Sequence, residues 1–231
     1  MFIDLIYCLT QTIKSDIMIF ITGTDTGVGK TYVSSIIGKH LKYKENKNIG
    51  YLKPIESGGV EDTTLLKNTL NLNDDLNIIN PINLKNPLSP NIAFEVENYD
   101  ISLNEIKNKI KNSFNILKDK YDFLIVEGAG GVCVPIKNNF LMSDLIKFLN
   151  LDTVIVSRPN LGTINHTILT IEHLRNKGIE IKGVIINCIT DLEDVKYYEK
   201  TFETIENVGN IDIIGIVHNH NNYDIDFDRI K

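Results

Sequence analysis

MIFITGTDTGVGKT, at residues 18–31, joins a short apolar strand to a glycine-rich loop and the start of a helix. Glycines allow the loop backbone to wrap a phosphate so that consecutive N–H groups point at it, and the helix N-terminus adds positive potential. Lys30 is placed to reach the β- and γ-phosphates of a nucleotide, and Thr31 is placed to hold Mg²⁺. The spacing is GxxxxxGKT, one residue longer than the usual GxxxxGKT, because the first glycine is Gly23. We therefore predict a nucleotide phosphate site here.

Apolar runs rich in β-branched residues alternate with segments of helical period along the rest of the chain. The predicted strands are residues 18–22, 50–52, 123–126, 153–156, 183–186 and 213–217. The predicted helices are residues 30–43, 61–70, 102–118, 142–149, 163–177 and 194–206. Nearly continuous apolar strands suit a parallel sheet that is buried on both faces. This order predicts one α/β domain of the P-loop NTPase type, a mainly parallel sheet with helices on both faces.

Composition limits the class of protein. The 231 residues are 42% hydrophobic and 23% charged, which is enough for one largish domain and excludes disordered and collagen-like chains. A net charge of -6 argues against a nucleic-acid or membrane-surface partner. The three cysteines show no zinc or disulfide spacing, so we expect a cytoplasmic location. We expect residues 1–17 to be an extension of uncertain reality and residues 18–231 to be the domain, since the first convincing strand begins at Met18.

Charged and polar side chains follow the second and third predicted strands. Lys53 and Ser57 come after the second, Asp62 begins the next helix, and Glu127 follows the third. Ligands of such folds lie at the carboxyl ends of the strands. Lys53 could neutralise a transferring phosphoryl group there, or it could be a solvated lysine on a turn. Asp62 could be an ordinary carboxylate at a helix N-terminus, where the helix dipole favours it. Alternatively, it could bind Mg²⁺ together with Glu127 and Thr31, and we predict this metal site.

The fourth predicted strand leads into a second helix start approached by small residues. This start comprises Gly162, Thr163, Ile164 and Asn165. A helix N-terminus of this kind can bind a carboxylate or phosphate, or it can be an ordinary capped helix. The sequence leaves both alternatives open at this point.

Taken together, these motifs resemble the dethiobiotin synthetase family over about residues 18–217. The resemblance is carried by GTDTGVGKT at residues 23–31, YLKPIESG at 51–58, Asp62, PLSPNIA at 87–93, VEGAGG at 126–131 and LGTINHTILT at 161–170. It implies a homodimeric ligase that uses ATP, Mg²⁺ and CO₂ or bicarbonate to close a ureido ring on 7,8-diaminononanoate. It also implies an active site at the dimer interface.

The resemblance implies roles for individual residues. Lys30 and Lys53 would be catalytic, and Thr31, Asp62 and Glu127 would hold the metal. The substrate would be bound by Thr26 and Ser57 and, from the partner subunit, by Gly162, Thr163, Ile164 and Asn165, with Tyr197 or Tyr198 as a further candidate. The nucleotide would contact Gly27, Val28, Gly29, Lys30, Thr31, Tyr32, Asp62, Glu127, Gly128, Ala129, Gly130, Asn187 and Cys188.

Two segments depart from the family pattern on the side of the nucleotide base. Cys188 follows Asn187 where the family often has an aspartate, and GIVHNH at residues 215–220 stands in place of a Gly-x-x-Pro segment. We expect an altered base pocket, with His218 and His220 in a polar loop followed by a short acidic tail. The main alternative is a regulatory ATPase of the partition type, which is disfavoured because Asp25 occupies the position of that class's signature lysine.

Overall fold

The computed structural model describes residues 17–188, 195–219 and 222–231. The strands are β1 Ile17–Gly23, β2 Ile49–Leu52, β3 Glu56–Ser57, β4 Asn83–Leu84, β5 Phe123–Gly131, β6 Pro135–Lys137, β7 Phe140–Leu141, β8 Asp152–Ser157, β9 Ile181–Asn187, β10 Ile213–Asn219 and β11 Asn222–Ile225. In the described part of the chain, seven of them form the main sheet in the order β11-β10-β9-β8-β1-β5-β2. All neighbours run parallel except β10 and β11, and the sheet is flanked by helices, which confirms the predicted fold class.

Helices follow the strands along the chain as the apolar periodicity predicts. They are α1 Lys30–Tyr43, α2 Glu61–Thr69, α3 Leu76–Ile79, α4 Pro90–Val96, α5 Leu103–Lys120, α6 Met142–Leu149, α7 Thr163–Asn176 and α8 Val195–Gly209. Helix α5 begins with a capping box in which Ser102 and Glu105 each bind the other's backbone N–H. Helices α3 and α4 were not predicted, because four and seven residues hold too few turns for a periodic pattern.

Strand β5 is longer than predicted, so Glu127 lies within the strand and not beyond its end. The strand continues to Gly131, which pairs with Gly23 of β1. A Cβ atom at Gly131 would lie 3.4 Å from the carbonyl oxygen of Gly23, an ordinary contact distance, so this pairing does not require a glycine. The three glycines after Glu127 therefore extend the strand beyond its predicted end at residue 126.

The predicted acidic tail is also wrong, because the chain turns back into β11 and pairs antiparallel with β10. His218 lies in β10 and not in a loop, while His220 lies outside the described residues. The apolar side chains of Ile225 and Ile230 are buried, and Phe227 stacks on His40 of α1 with 3.5 Å between ring centroids. Burial of Ile225 and Ile230 and the partial burial of Phe227 stabilise the packing of this segment on the domain.

The topology gathers the predicted site residues at one edge of the sheet. Strand β1 lies between β8 and β5, and β2 lies on the other side of β5. The loop after β1, the residues after β2 and the second half of β5 therefore lie side by side. Among the described residues, we find no helix with the length and apolar character that crossing a bilayer would require.

Candidate active site

The phosphate loop ends at Gly29, where helix α1 begins. Gly29 has φ of 89° and forms the N-cap of α1 without a side-chain hydrogen bond to the helix. A Cβ atom at Gly29 would lie 1.9 Å from Nδ2 of Asn187, so a larger residue does not fit. Backbone N–H groups at the first turn of α1 are therefore not capped by a side chain, as an anion site requires.

Lys30 lies in the loop with its side chain almost completely buried. Its side chain is 6% exposed, and Nζ donates a hydrogen bond of 3.1 Å to the carbonyl oxygen of Asp25. Burial, and then the nearby positive charge of Lys53, lower the pKa of Lys30 to about 8. The ammonium thus has an incomplete set of charge partners, and an added anion would stabilise its charged form.

Glu127 is fully buried, and three side chains donate hydrogen bonds to its carboxylate. Oε1 accepts from Thr31 Oγ1 at 2.7 Å and from Lys53 Nζ at 2.5 Å, and Oε2 accepts from Ser34 Oγ at 2.8 Å. Sequence reasoning missed Ser34, although it lies three residues after Thr31 and therefore on the same face of α1. Both helical hydroxyls orient the carboxylate toward the loop.

Lys53 bridges Glu127 and Asp62, so the alternative of a solvated lysine on a turn is wrong. Its side chain is 3% exposed, and Nζ lies 2.8 Å from Asp62 Oδ2. Burial alone would lower the pKa of Lys53, but the two carboxylates outweigh it and raise the pKa above its usual value. Burial likewise would raise the pKa of Asp62, and Lys53 holds it below its usual value. Lys53 and Asp62 therefore both carry their charges at neutral pH.

A cavity of about 560 Å³ opens in front of these groups. Twelve predicted site residues line it: Thr26, Gly27, Gly29, Lys30, Thr31, Tyr32, Lys53, Ser57, Asp62, Gly128, Ala129 and Gly130. Ser57 Oγ is buried and has no hydrogen-bond partner, so the cavity holds an unsatisfied hydroxyl. The sequence analysis did not assign roles to Glu56, Leu65, Pro87, Leu88, Ser89, Pro90 and Val134, which also line the cavity. Four of these, Pro87 to Pro90, belong to the PLSPNIA segment that carries part of the family resemblance, and they line the cavity together with the phosphate loop.

Asn187, Cys188 and Val28 lie behind the loop and do not line the cavity. Asn187 Nδ2 donates 2.9 Å to the carbonyl oxygen of Val28, which is itself buried, and Asn187 Oδ1 is buried without a partner. Cys188 is 2% exposed, and burial raises the pKa of its thiol to about 11. Asn187 therefore supports the loop and keeps one acceptor available.

Gly162, Thr163, Ile164 and Asn165 lie in a separate groove of about 650 Å³. Gly162, with φ of 95°, is the N-cap of α7 and has no side-chain capping bond. Leu161 beside it is completely exposed, and Tyr198 of α8 lines the opposite wall. The side chain of Tyr197 lies outside the described residues. Within one chain, this groove and the phosphate loop are not part of the same cavity.

The predicted metal ligands are oxygen donors, the kind of ligand that Mg²⁺ binds. Thr31 Oγ1 and the carboxylates of Asp62 and Glu127 provide oxygen atoms, which Mg²⁺ prefers together with phosphate oxygens and water. Both carboxylates already contact one cation, the ammonium of Lys53. One oxygen of each carboxylate therefore lies beside Lys53 Nζ, and these oxygen donors are of the chemical type that fits the metal.

Comparison with known proteins finds a family model and named relatives that match most of the chain. A family model described as an AAA domain matches residues 18–224. The chain is 73% identical over 213 residues to the ATP-dependent dethiobiotin synthetase of Methanocaldococcus jannaschii, covering 92% of this chain and 99% of that protein. It is 34% identical over 219 residues to the enzyme of that name from Clostridium perfringens, covering 90% and 94%.

Solved structures resemble the fold at much lower identity. The MinC:MinD cell division protein complex of Aquifex aeolicus aligns with a TM-score of 0.54 and 20% identity, covering 88% of this chain and 82% of that one. MinD of Pyrococcus horikoshii, complexed with Mg-ADP, aligns with a TM-score of 0.55 and 15% identity, covering 87% and 81%. Fold and loop together define a P-loop NTPase-type domain. The identity to the curated relatives then shows that the chain belongs to the dethiobiotin synthetase family, as the motifs had predicted.

Proposed function

We propose that this protein closes a ureido ring on 7,8-diaminononanoate with CO₂, using ATP, to give dethiobiotin, ADP and phosphate. Membership of the dethiobiotin synthetase family supports this reaction. The observation that carries it is the pair of buried lysines, Lys30 and Lys53, in one cavity that also contains the phosphate loop and the unsatisfied hydroxyl of Ser57. Such a cavity can place a triphosphate beside a small polar substrate.

The reaction needs little covalent chemistry from the protein. One substrate amine captures CO₂ as a carbamate and loses a proton, and a carbamate oxygen then attacks the γ-phosphorus while ADP leaves. The second amine attacks the carbonyl carbon of the mixed anhydride and expels phosphate, which closes the ring. Positioning and charge stabilisation must therefore supply most of the rate enhancement.

Lys30 and Lys53 are the proposed catalytic residues. Lys30 would stabilise the β- and γ-phosphate oxygens, because an anion in the loop provides the charge partner that its ammonium lacks. Lys53 would stabilise the carbamate and the transferring phosphoryl group. Thr26 and Ser57 would hydrogen-bond the diamine or its carbamate, which the unsatisfied Ser57 hydroxyl supports.

Thr31, Asp62 and Glu127 would hold Mg²⁺, and Gly27 to Tyr32 with Gly128 to Gly130 would surround the phosphates. The metal, when bound, would neutralise charge on the β- and γ-phosphate oxygens. Asn187 and Cys188 would lie on the base side of the nucleotide. The buried, unpartnered Oδ1 of Asn187 supports this assignment, since it can accept a hydrogen bond from an exocyclic amine.

A second copy of the chain would complete the site. Gly162, Thr163, Ile164 and Asn165 of the partner would hold the substrate carboxylate, consistent with their uncapped helix start and the exposed apolar side chains beside it. Of the two tyrosine candidates, Tyr197 and Tyr198, the side chain of Tyr198 lines this groove. A cytoplasmic location is part of the proposal, and the free thiols of Cys133 and Cys188 support it.

A regulatory ATPase of the partition type is the second candidate, because the fold resembles MinD. At 20% identity or less this likeness concerns the fold alone. Asp25, at the position of the signature lysine, instead lies 3.4 Å from Arg158. We therefore favour the ligase.

The test is phosphate release by purified protein with ATP, Mg²⁺, bicarbonate and the diamine, with the product identified by mass. We expect release only with diamine present, in step with dethiobiotin. Diamine-independent hydrolysis that DNA or lipid stimulates would refute the ligase and support the second candidate.

A further inference from the structure

Glu56 is a buried carboxylate in the cavity wall that takes no part in the roles proposed above. Its side chain is 4% exposed, and its backbone N–H donates 3.0 Å to the carbonyl oxygen of Ile82. It lies in β3, which pairs with β4 at the register Glu56 to Asn83. A buried carboxylate is costly unless it is hydrogen-bonded, so its partners indicate its purpose.

Those partners are the first N–H groups of α2. The N-cap residue of this helix is Val60, whose side chain cannot accept a hydrogen bond. Glu56 replaces the missing cap from outside the helix: Oε1 accepts from the backbone N–H of Asp62 at 2.8 Å, and Oε2 accepts from the N–H of Thr63 at 3.3 Å. The hydroxyl of Thr63 also donates to Oε2. The negative charge is favourable at this end of the helix dipole.

This contact fixes the backbone that carries Asp62. The Asp62 side chain is 46% exposed and is anchored by Lys53 at 2.8 Å, a partner that must also serve the carbamate in the proposed reaction. When Lys53 turns to another anion, the backbone anchor at Glu56 remains. Glu56 does not itself reach the phosphate loop in any described hydrogen bond.

We propose that Glu56 is a positioning residue that holds Asp62 in place for Mg²⁺ and the nucleotide phosphates. The inference rests on the proposed metal site and goes beyond the residues that contact substrate or metal. A residue of this kind acts through the ligand that it orients, so its loss should weaken metal-dependent binding more than binding of the nucleotide itself.

The experiment compares ADP affinity in EDTA and in Mg²⁺ by titration calorimetry on the full-length protein. Glu56→Ala removes both acceptors, and Glu56→Gln retains one oxygen for the Asp62 N–H. Glu61→Gln is the matched control, because Glu61 is an exposed carboxylate in the same first turn. We expect Glu56→Ala to leave ADP affinity in EDTA unchanged and to reduce the gain from Mg²⁺ by about tenfold. We expect Glu56→Gln to recover part of that gain and Glu61→Gln to match the parent.

A kinetic comparison adds a second measurement. In the diamine-dependent reaction, Glu56→Ala should raise the apparent KM for Mg²⁺, with kcat recovering toward the parent value at saturating Mg²⁺. An unchanged Mg²⁺ gain in Glu56→Ala would overturn the inference. So would an equal loss of ADP affinity with and without Mg²⁺, which general damage to the fold would produce. If the parent protein binds Mg-ADP but forms no dethiobiotin, the proposed function fails while the calorimetric test of Glu56 still decides this inference.

Discussion

Replacing Lys53 with methionine tests the ion triad at the centre of the candidate active site. The substitution keeps an unbranched side chain one heavy atom shorter and removes the charge. Glu127, which is fully buried, loses a partner at 2.5 Å, and Asp62 loses one at 2.8 Å. Breaking a buried ion pair lowers the free energy of unfolding by roughly 3–5 kcal/mol. The lost contact to the partly exposed Asp62 adds little to this cost, because water screens that carboxylate.

We take the lower end of this range, about 3 kcal/mol, because Thr31 and Ser34 still donate to Glu127. In a chain of this size that corresponds to a fall in Tm of roughly 6–12 °C for the ligand-free protein. The loss of a cation facing the transferring phosphoryl group should also lower kcat by about 10²–10³-fold, while the protein still binds nucleotide.

Differential scanning calorimetry and the diamine-dependent phosphate assay measure the two effects. The control is Lys182→Met, which removes an ammonium 3.0 Å from Asp152 in a partly exposed pair and should cost less than about 1 kcal/mol. A Lys53→Met protein with the parent Tm would refute the account of the triad. A kcat close to that of the parent would refute the catalytic role.

Three further predictions concern other parts of the molecule. The ammonium of Lys30 loses its proton as pH rises through about 8, so ADP affinity without Mg²⁺ should be level below that pH and fall above it. The variant Lys30→Met should abolish this fall. A flat calorimetric profile in the parent protein would contradict the prediction. The variant Leu161→Asp should shift the protein from dimer to monomer in light scattering and raise the KM for diamine more than the KM for ATP. Replacing another exposed apolar side chain, Ile116 on α5, with Asp should do neither. A dimeric Leu161→Asp protein would count against the proposed interface. Iodoacetamide should label the exposed Cys133 and spare Cys188, because the Cys188 thiol is buried and its pKa is raised to about 11. Peptide mass mapping measures the labelling. Equal labelling of both cysteines in the folded protein would show that Cys188 is accessible.

The sequence predicted the parts of the fold that depend on local pattern. Strand β1, helix α1 and the glycines between them follow from apolar runs and loop chemistry within residues 17–43. The same patterns located strand β2, which Lys53 follows, and the first half of β5, which carries Glu127. The rule that ligands lie at strand ends brought these residues together. Helix α5 was recognisable from Ser102 and Glu105 because a capping box is a contact within four residues.

Contacts between distant segments could not be predicted in this way. The cap of α2 is only six residues from Asp62, but Val60 gives no sign of it, because Glu56 lies in β3 and outside the helix. Asn187 meets Val28 across 159 positions of sequence, and Cys133 Sγ lies 3.4 Å from His173 Nδ1 across 40 positions. These pairs depend on the order of strands in the sheet, which the apolar pattern alone does not specify.

Strand β11 was missed for a different reason. Its four residues, NYDI, carry two polar side chains and lie beside an acidic segment, so composition favoured a tail. Pairing with the edge of β10 and burial of Ile225 outweigh that composition. β-propensity depends on packing against neighbouring strands, so composition alone does not exclude a strand here.

The most direct test of the proposed reaction follows an oxygen atom. If a carbamate oxygen attacks the γ-phosphorus and the second amine then expels phosphate, that oxygen leaves with the phosphate. Bicarbonate labelled with ¹⁸O, supplied with diamine, ATP and Mg²⁺ and sampled before the label exchanges with water, should therefore give ¹⁸O-labelled phosphate together with dethiobiotin in the mass spectrum. Phosphate that carries no label while dethiobiotin accumulates would contradict the mixed-anhydride route.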